Sequence, residues 1–190
     1  MSAVAHPGVH YERYSRLQIN RIGLWFFLAS EAFLFAALLS SRFLILGISR
    51  PAAVNLGLGM VLTIILLASS GTAHWAKTSI ARGNQAGLER GLLATITLGL
   101  LFLALVVYEW AVGFSHFPPA TPYGGVFFTI TGMHATHLLS GVVMLALVYL
   151  NARQGVFTPE SHWGVEGVMK YWHLVDGVWL SVFITLYLVG

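Results

Sequence analysis

IGLWFFLASEAFLFAALLSS, residues 22–41, is a run of twenty residues that is apolar throughout except for its serines and for Glu31 near its middle. At about 1.5 Å of rise per residue, twenty helical residues span roughly 30 Å, the thickness of a bilayer's hydrocarbon core. A carboxylate half-way across is costly there, so Glu31 must face other protein, a polar lipid group or trapped water. Four more apolar runs follow it. With 57% hydrophobic and 9% charged residues among 190, the composition is that of a membrane protein. Runs this long exclude a β-barrel, whose strands would alternate over about ten residues. The chain therefore reads as all-α, an integral membrane bundle of five transmembrane helices forming a single membrane domain over 1–190.

The helices are expected at about 22–41, 52–73, 91–112, 124–150 and 159–188. A polar N-terminal segment, 1–20, carries Arg13 and Arg16, with no short apolar region and cleavage site of the kind a removable signal would show. The fifth helix is expected to start at Thr158-Pro159-Glu160, which reads as an N-cap, an N1 proline and a first-turn acid. Five spans put the termini on opposite sides. Arg13, Arg16, Arg21, Lys77, Arg82, Arg90, Arg153 and Lys170 fall on the N-terminal side; Arg42 and Arg50, in the first turn, fall on the other. By the positive-inside bias, the N-terminus is cytoplasmic and the C-terminus outside.

The chain has no cysteine, which excludes disulfides, thiolate-bound zinc, iron–sulfur clusters and thioether-linked haem. Its net charge of +3 is small and dispersed, so nucleic acid is not an expected partner. Eight histidines invite a metal reading. His74 and His173 fall near the cytoplasmic side and His116 outside. His134 and His137 share one helix, and His6, His10 and His162 sit in exposed segments. No three converge, so no haem or metal is expected in this chain.

The antiparallel course of the spans brings Glu31 and the His134–His137 pair to the same depth. One reading is a buried cluster in which Glu31 bonds a histidine and carries protons or senses lipid; the plainer one is a polar tie between helices. Likewise His173 and Asp176, spaced i, i+3, could meet His74 across the bundle as a tie or as a relay. Glu109 falls near the outer boundary, where partial solvation is expected. Gly91, Thr95 and Gly99 recur every four residues, and Gly59 with Thr63 and His137 with Gly141 repeat the spacing, which suits close helix approach in lipid. Trp75, Trp110, Tyr123, Trp163, Tyr171 and Trp172 read as interfacial anchors.

In five segments the sequence resembles subunit III of the haem–copper terminal oxidases, cytochrome c oxidase subunit III, in its short five-helix bacterial form. GLWFFLASEAFLFAALL (23–39) is similar to the family's Trp-x-x-Leu-x-x-Ser-Glu stretch, which implies that Glu31 is its membrane-buried, carbodiimide-reactive carboxylate. SSGTAHWA (69–76), TLGLLFLALVVYEW (97–110) and YGGVFFTITGMHATHLLSGVVML (123–145) follow in the family's order. HWGVEGVMKYWHLVDGVWLSVFITLYL (162–188) carries the Tyr-Trp-His-x-x-Asp-x-x-Trp signature at Tyr171, Trp172, His173, Asp176 and Trp179. The long form's two additional N-terminal helices have no counterpart, so headgroup contacts made by those helices cannot be carried over.

The resemblance implies a non-catalytic, cofactor-free hetero-oligomeric subunit in a bacterial plasma membrane. Its partners would be subunit I and subunit II, with haem and copper residing in the partners and phospholipid bound in a groove of this chain. It would support assembly, proton uptake and stability of the oxygen-reducing subunit. A quinol-oxidase subunit III and the related accessory protein of nitric oxide reduction fit the same segments. A small membrane cytochrome or a proton-coupled transporter is the reading from a different class.

Overall fold

Each apolar run becomes one helix, but the polar residues at its borders decide where the helix stops. A computed structural model describes residues 15–48, 51 and 54–189; His6, His10, Arg13 and Arg50, named above, lie outside them. The helices are α1 (Arg16–Leu46), α2 (Leu56–Ala81), α3 (Gln85–His116), α4 (Pro122–Arg153) and α5 (Trp163–Phe183), the last running on into a π-helical turn, Ile184–Leu188. All five are long and apolar enough to cross a membrane, and no strand occurs among the described residues.

Most helices outrun their apolar stretches because backbone hydrogen bonding continues through the polar flanks, where side chains then cap the ends. Ser15 and Gln18 form a reciprocal capping box on α1, and Asn55, Asn84 and Thr121 accept from the backbone at the starts of α2, α3 and α4. Asn55 thus moves the start of α2 to Leu56. The expected start of α5 at Thr158-Pro159-Glu160 is corrected. Thr158 and Ser161 exchange backbone hydrogen bonds of 3.1 and 3.2 Å, closing a separate turn, and the helix begins at Trp163 without a side-chain cap. Between α2 and α3 the chain reverses in three residues, with Gly83 at φ +75°, a conformation suited to glycine.

Helix α5 occupies the centre, packed between α2 and α4, while α3 closes the ring against α2 and α4. Helix α1 lies outside this ring on α4 and α5. Only Leu28, Phe35 and Arg42 of α1 are fully covered, one every seven residues. The inner ring packs through the small residues noted above. A Cβ at Gly91 would stand 2.7 Å from the Ala76 side chain and 2.9 Å from its backbone. The Trp172 indole fills the space between Gly99 and Gly141 and donates to Ser69 at 3.1 Å, while Trp179 donates to Thr63 at 3.0 Å. Thr72 and Thr95 bridge α2 and α3 at 2.8 Å. Three expected interfacial anchors are therefore corrected: Trp172, Tyr171 and Tyr123 are core residues.

Arg42 also departs from its expected place in a turn. It lies within α1, fully buried, donating to the carbonyls of Gly47 at 2.8 Å and Val189 at 3.3 Å, with its guanidinium over the Tyr123 ring.

The glycine contacts make a direct prediction. Gly91→Ala forces α2 and α3 apart and costs about 1–3 kcal/mol, the usual range for overpacking. Gly23→Ala, where an added Cβ meets nothing within 4 Å, leaves stability unchanged or slightly raised. Melting temperatures of the purified variants in mild detergent decide it; equal values would show that the α2–α3 approach is not tight.

Candidate functional site

The geometry around Glu31 begins with α1 lying on α4. Glu31 Oε2 and His137 Nε2 are 2.7 Å apart, both side chains only slightly exposed. The other ring nitrogen of His137 lies 2.8 Å from the Met133 carbonyl, which can only accept. Nδ1 must therefore carry a hydrogen. The 2.7 Å bond then holds one proton, on the imidazole or on the carboxyl, and the pair is neutral overall in either arrangement. That neutrality is what makes Glu31 tolerable at mid-membrane. Phe35, one turn along α1, covers the imidazole edge-on at 5.0 Å. Ser140 Oγ and Tyr171 Oη lie 2.7 and 3.1 Å from the His137 carbonyl and 2.7 Å from each other, so with one hydrogen apiece one donates to the carbonyl and the other to its neighbour.

His134 does not join this pair. Although only three residues from His137, it turns into the ring interior among Phe35, Phe102 and Trp179, with centroids 5.1–6.4 Å away. It is fully buried, and neither ring nitrogen has a hydrogen-bond partner among the described residues. The expected cluster of Glu31, His134 and His137 is thus a Glu31–His137 pair beside an aromatic-caged histidine.

The second expected cluster is also rearranged. Asp176 Oδ2 accepts from Ser70 at 2.5 Å, and His173 Nδ1 lies 3.2 Å from the same hydroxyl. His74 makes no hydrogen bond to Asp176; the shorter Ser70, one turn earlier on α2, occupies that place. Glu109 is buried rather than solvated, because the π-helical turn brings Tyr187 over it, donating at 2.8 Å. Among the described residues no group of three or more His, Cys, Asp or Glu side chains is positioned to hold a metal.

The resemblance implies a groove but does not say which residues line it. An open, apolar groove of about 550 Å³ runs between α1, α4 and α5, lined by Gly23, Leu24, Phe27, Met144, Gly167 and Tyr171 among others. At its end Glu166 sits between Arg21 at 3.4 Å and Lys170 at 3.6 Å, and Lys170 lies over the rings of Trp25 and Trp163. The i, i+4 spacing of Glu166 and Lys170 was visible; the approach of Arg21 from α1 was not.

The family model described as Cytochrome c oxidase subunit III matches residues 8–190. The chain belongs to that family. Cytochrome c oxidase subunit 3 of Corynebacterium diphtheriae is 34% identical over 189 residues, covering 92% of this chain and 90% of the relative. The Synechocystis protein of the same name is 31% identical over 193 residues, covering 96% and 81%. That of Anopheles gambiae is 35% identical over 179 residues, covering 88% and 68%. Subunit III is a non-catalytic subunit of haem–copper oxidases. In this member of the subunit III family the polar groups lie in small, separate sets, not in one convergent centre.

Glu31→Gln should keep the bond to His137, since a carboxamide N–H can donate to Nε2. Glu31→Leu leaves that nitrogen without its partner, at about 1–3 kcal/mol. The melting temperature should therefore stay near wild type in the first variant and fall in the second. Equal falls in both would mean that charge on Glu31, not the hydrogen bond, holds α1 in place.

Proposed function

We propose that this chain is the cofactor-free third subunit of a haem–copper oxidase in a bacterial plasma membrane. It packs against subunits I and II, which carry the haem and copper that reduce oxygen. The observation that carries the reading is the family match over nearly the whole chain, with the Corynebacterium diphtheriae relative covered over 90% of its length. The distribution of Lys and Arg supports a cytoplasmic N-terminus and an outer C-terminus. Of the two charges that run against the bias, Arg42 is buried and bonded to carbonyls, so it does not weigh as a free loop charge.

In this reading Glu31 acts indirectly. It holds α1 on α4 through a neutral, one-proton bond, and α1 forms one wall of the groove. A phospholipid fits that groove. Its walls are apolar, and Arg21 and Lys170 outnumber Glu166 by one positive charge at the end where a phosphate would lie. The tryptophans beside them suit the headgroup level. The lipid and the subunit together support the catalytic neighbour through packing and proton supply near the cytoplasmic surface.

Purification in mild detergent with mass spectrometry and an absorption spectrum tests the assembly. The tagged chain should bring down haem-bearing subunits and show their Soret band; a colourless chain without haem proteins would overturn the reading. Gly23→Trp, which fills the groove from a position with open space around it, should lower phospholipid recovered per complex. Unchanged lipid content would remove the groove from the account.

A further inference from the structure

A hydroxyl at membrane depth usually gives its hydrogen to its own helix. Ser69 and Thr72 of α2 donate to carbonyls three residues back, at 2.8 and 2.9 Å. Ser30, Ser40, Thr97, Thr129 and Thr136 do the same over three or four residues, at 2.7–2.9 Å. Ser70, between Ser69 and Thr72, bonds instead across the α2–α5 interface. Its oxygen lies 2.5 Å from Asp176 Oδ2 and 3.2 Å from His173 Nδ1.

A serine hydroxyl both donates and accepts, so this chain of three groups is satisfied in two ways. An ionised Asp176 accepts from Ser70, which accepts from a His173 Nδ1–H. A protonated Asp176 donates to Ser70, which donates to a bare Nδ1. Both contacts are kept in either order, and the two orders differ by the place of a proton.

The ends of the chain meet different surroundings. His173 is exposed and lines the open groove between α1 and α5, three residues, or about 4–5 Å, deeper than Lys170. Lys170 pairs with Glu166 at 3.6 Å and lies over Trp25 and Trp163, at the headgroup level. His74 and Lys77 face the His173 ring from α2, and α1 brings only Ala32, Phe35, Ala36 and Leu39 to the groove. Asp176, one turn deeper, is buried. It has no ion-pair partner among the described residues, and its Oδ1 has no hydrogen bond there. A carboxylate so placed is costly in hydrocarbon, and a proton removes its charge.

We propose that His173, Ser70 and Asp176 form a proton-loading site, through which water at the level of Lys170 exchanges one proton with the buried Asp176 carboxyl. A proton from that water bonds to His173 Nε2. The Nδ1–H bond then breaks as the Ser70 oxygen takes its hydrogen, and the original Ser70 O–H bond breaks as Asp176 Oδ2 takes that one. The products are a neutral imidazole, an intact serine and a neutral carboxyl, with one proton removed from water; release is the reverse. The site stands on this chain's own residues. Only the side on which it opens rests on the cytoplasmic N-terminus proposed above.

The test uses the purified full chain, with the subunits that accompany it, in vesicles followed by infrared difference spectroscopy. Acidifying the side on which Lys170 lies should raise one protonated-carboxyl band that Asp176→Asn removes. In heavy water, hydrogen exchange at that carboxyl should slow about a hundredfold in Ser70→Ala and in His173→Phe, within the range lost with a positioned proton-transfer group. Ser70→Thr, which keeps the hydroxyl, should exchange at the wild-type rate. If Asp176→Asn does not fold, the contrast between Ser70→Ala and Ser70→Thr carries the same decision. A band that ignores pH, that loads only from the opposite side, or that exchanges at one rate in all these proteins overturns the proposal. Protease access to an N-terminal tag in intact cells reads the orientation separately, so a reversed chain fails the topology and not the site.

Discussion

Helix α1 is attached to the rest of the molecule by one polar tie near each end and one in the middle. Arg21 meets Glu166, Glu31 meets His137, and Arg42 reaches the Val189 carbonyl. These residues are ten and eleven apart in sequence, close to three helical turns each, so all three point toward the ring from one face. The need for them follows from the solvent. Lipid gives apolar side chains no reason to prefer protein over hydrocarbon, and α1 buries few of them. A helix so placed is held by groups that have nowhere else to go. Glu31, at mid-membrane, has the fewest alternatives, which is why its bond to His137 sets where α1 lies and where the groove beside it opens.

The inner ring answers the same constraint by the opposite means. Helices α2 to α5 carry many hydroxyls and indoles, but these bond across interfaces already made close by glycine. Trp172 lies between Gly99 and Gly141 and reaches Ser69; Trp179 reaches Thr63 one turn from Gly59. Dispersion from near contact and hydrogen bonds between neighbours act together. A ring built this way is held by close contact and by bonds between neighbouring helices, with the His134 ring nitrogens left unbonded at its centre.

How much of this could be read from the residues depends on the range of each interaction. The five spans were legible because run length against bilayer thickness is a local property. The pairing of depth for Glu31 and His137 was legible too, since alternating direction fixes depth. Rotation about each helix axis was not. His134 and His137 differ by three residues, yet one faces α1 and the other the ring interior, and only packing among Phe35, Phe102 and Trp179 decides it. Aromatic residues near helix ends looked like interfacial anchors, and Tyr123, Tyr171 and Trp172 proved to be core for the same reason. The loss of Thr158 to a turn, and of the Asp176 contact from His74 to Ser70, are matters of one helical turn that no periodicity resolves.

The unequal satisfaction of polar groups carries the last step. Where a threonine bonds its own helix, exposure to lipid costs little, and nothing follows from finding it there. Glu31, by contrast, takes its partner from another helix, and so does Glu109, which accepts from the Tyr187 hydroxyl of the π-helical turn. A carboxyl satisfied across an interface fixes two elements against each other, whereas a hydroxyl satisfied within its own helix fixes nothing. The covered acids, not the exposed hydroxyls, therefore set how the helices stand relative to one another.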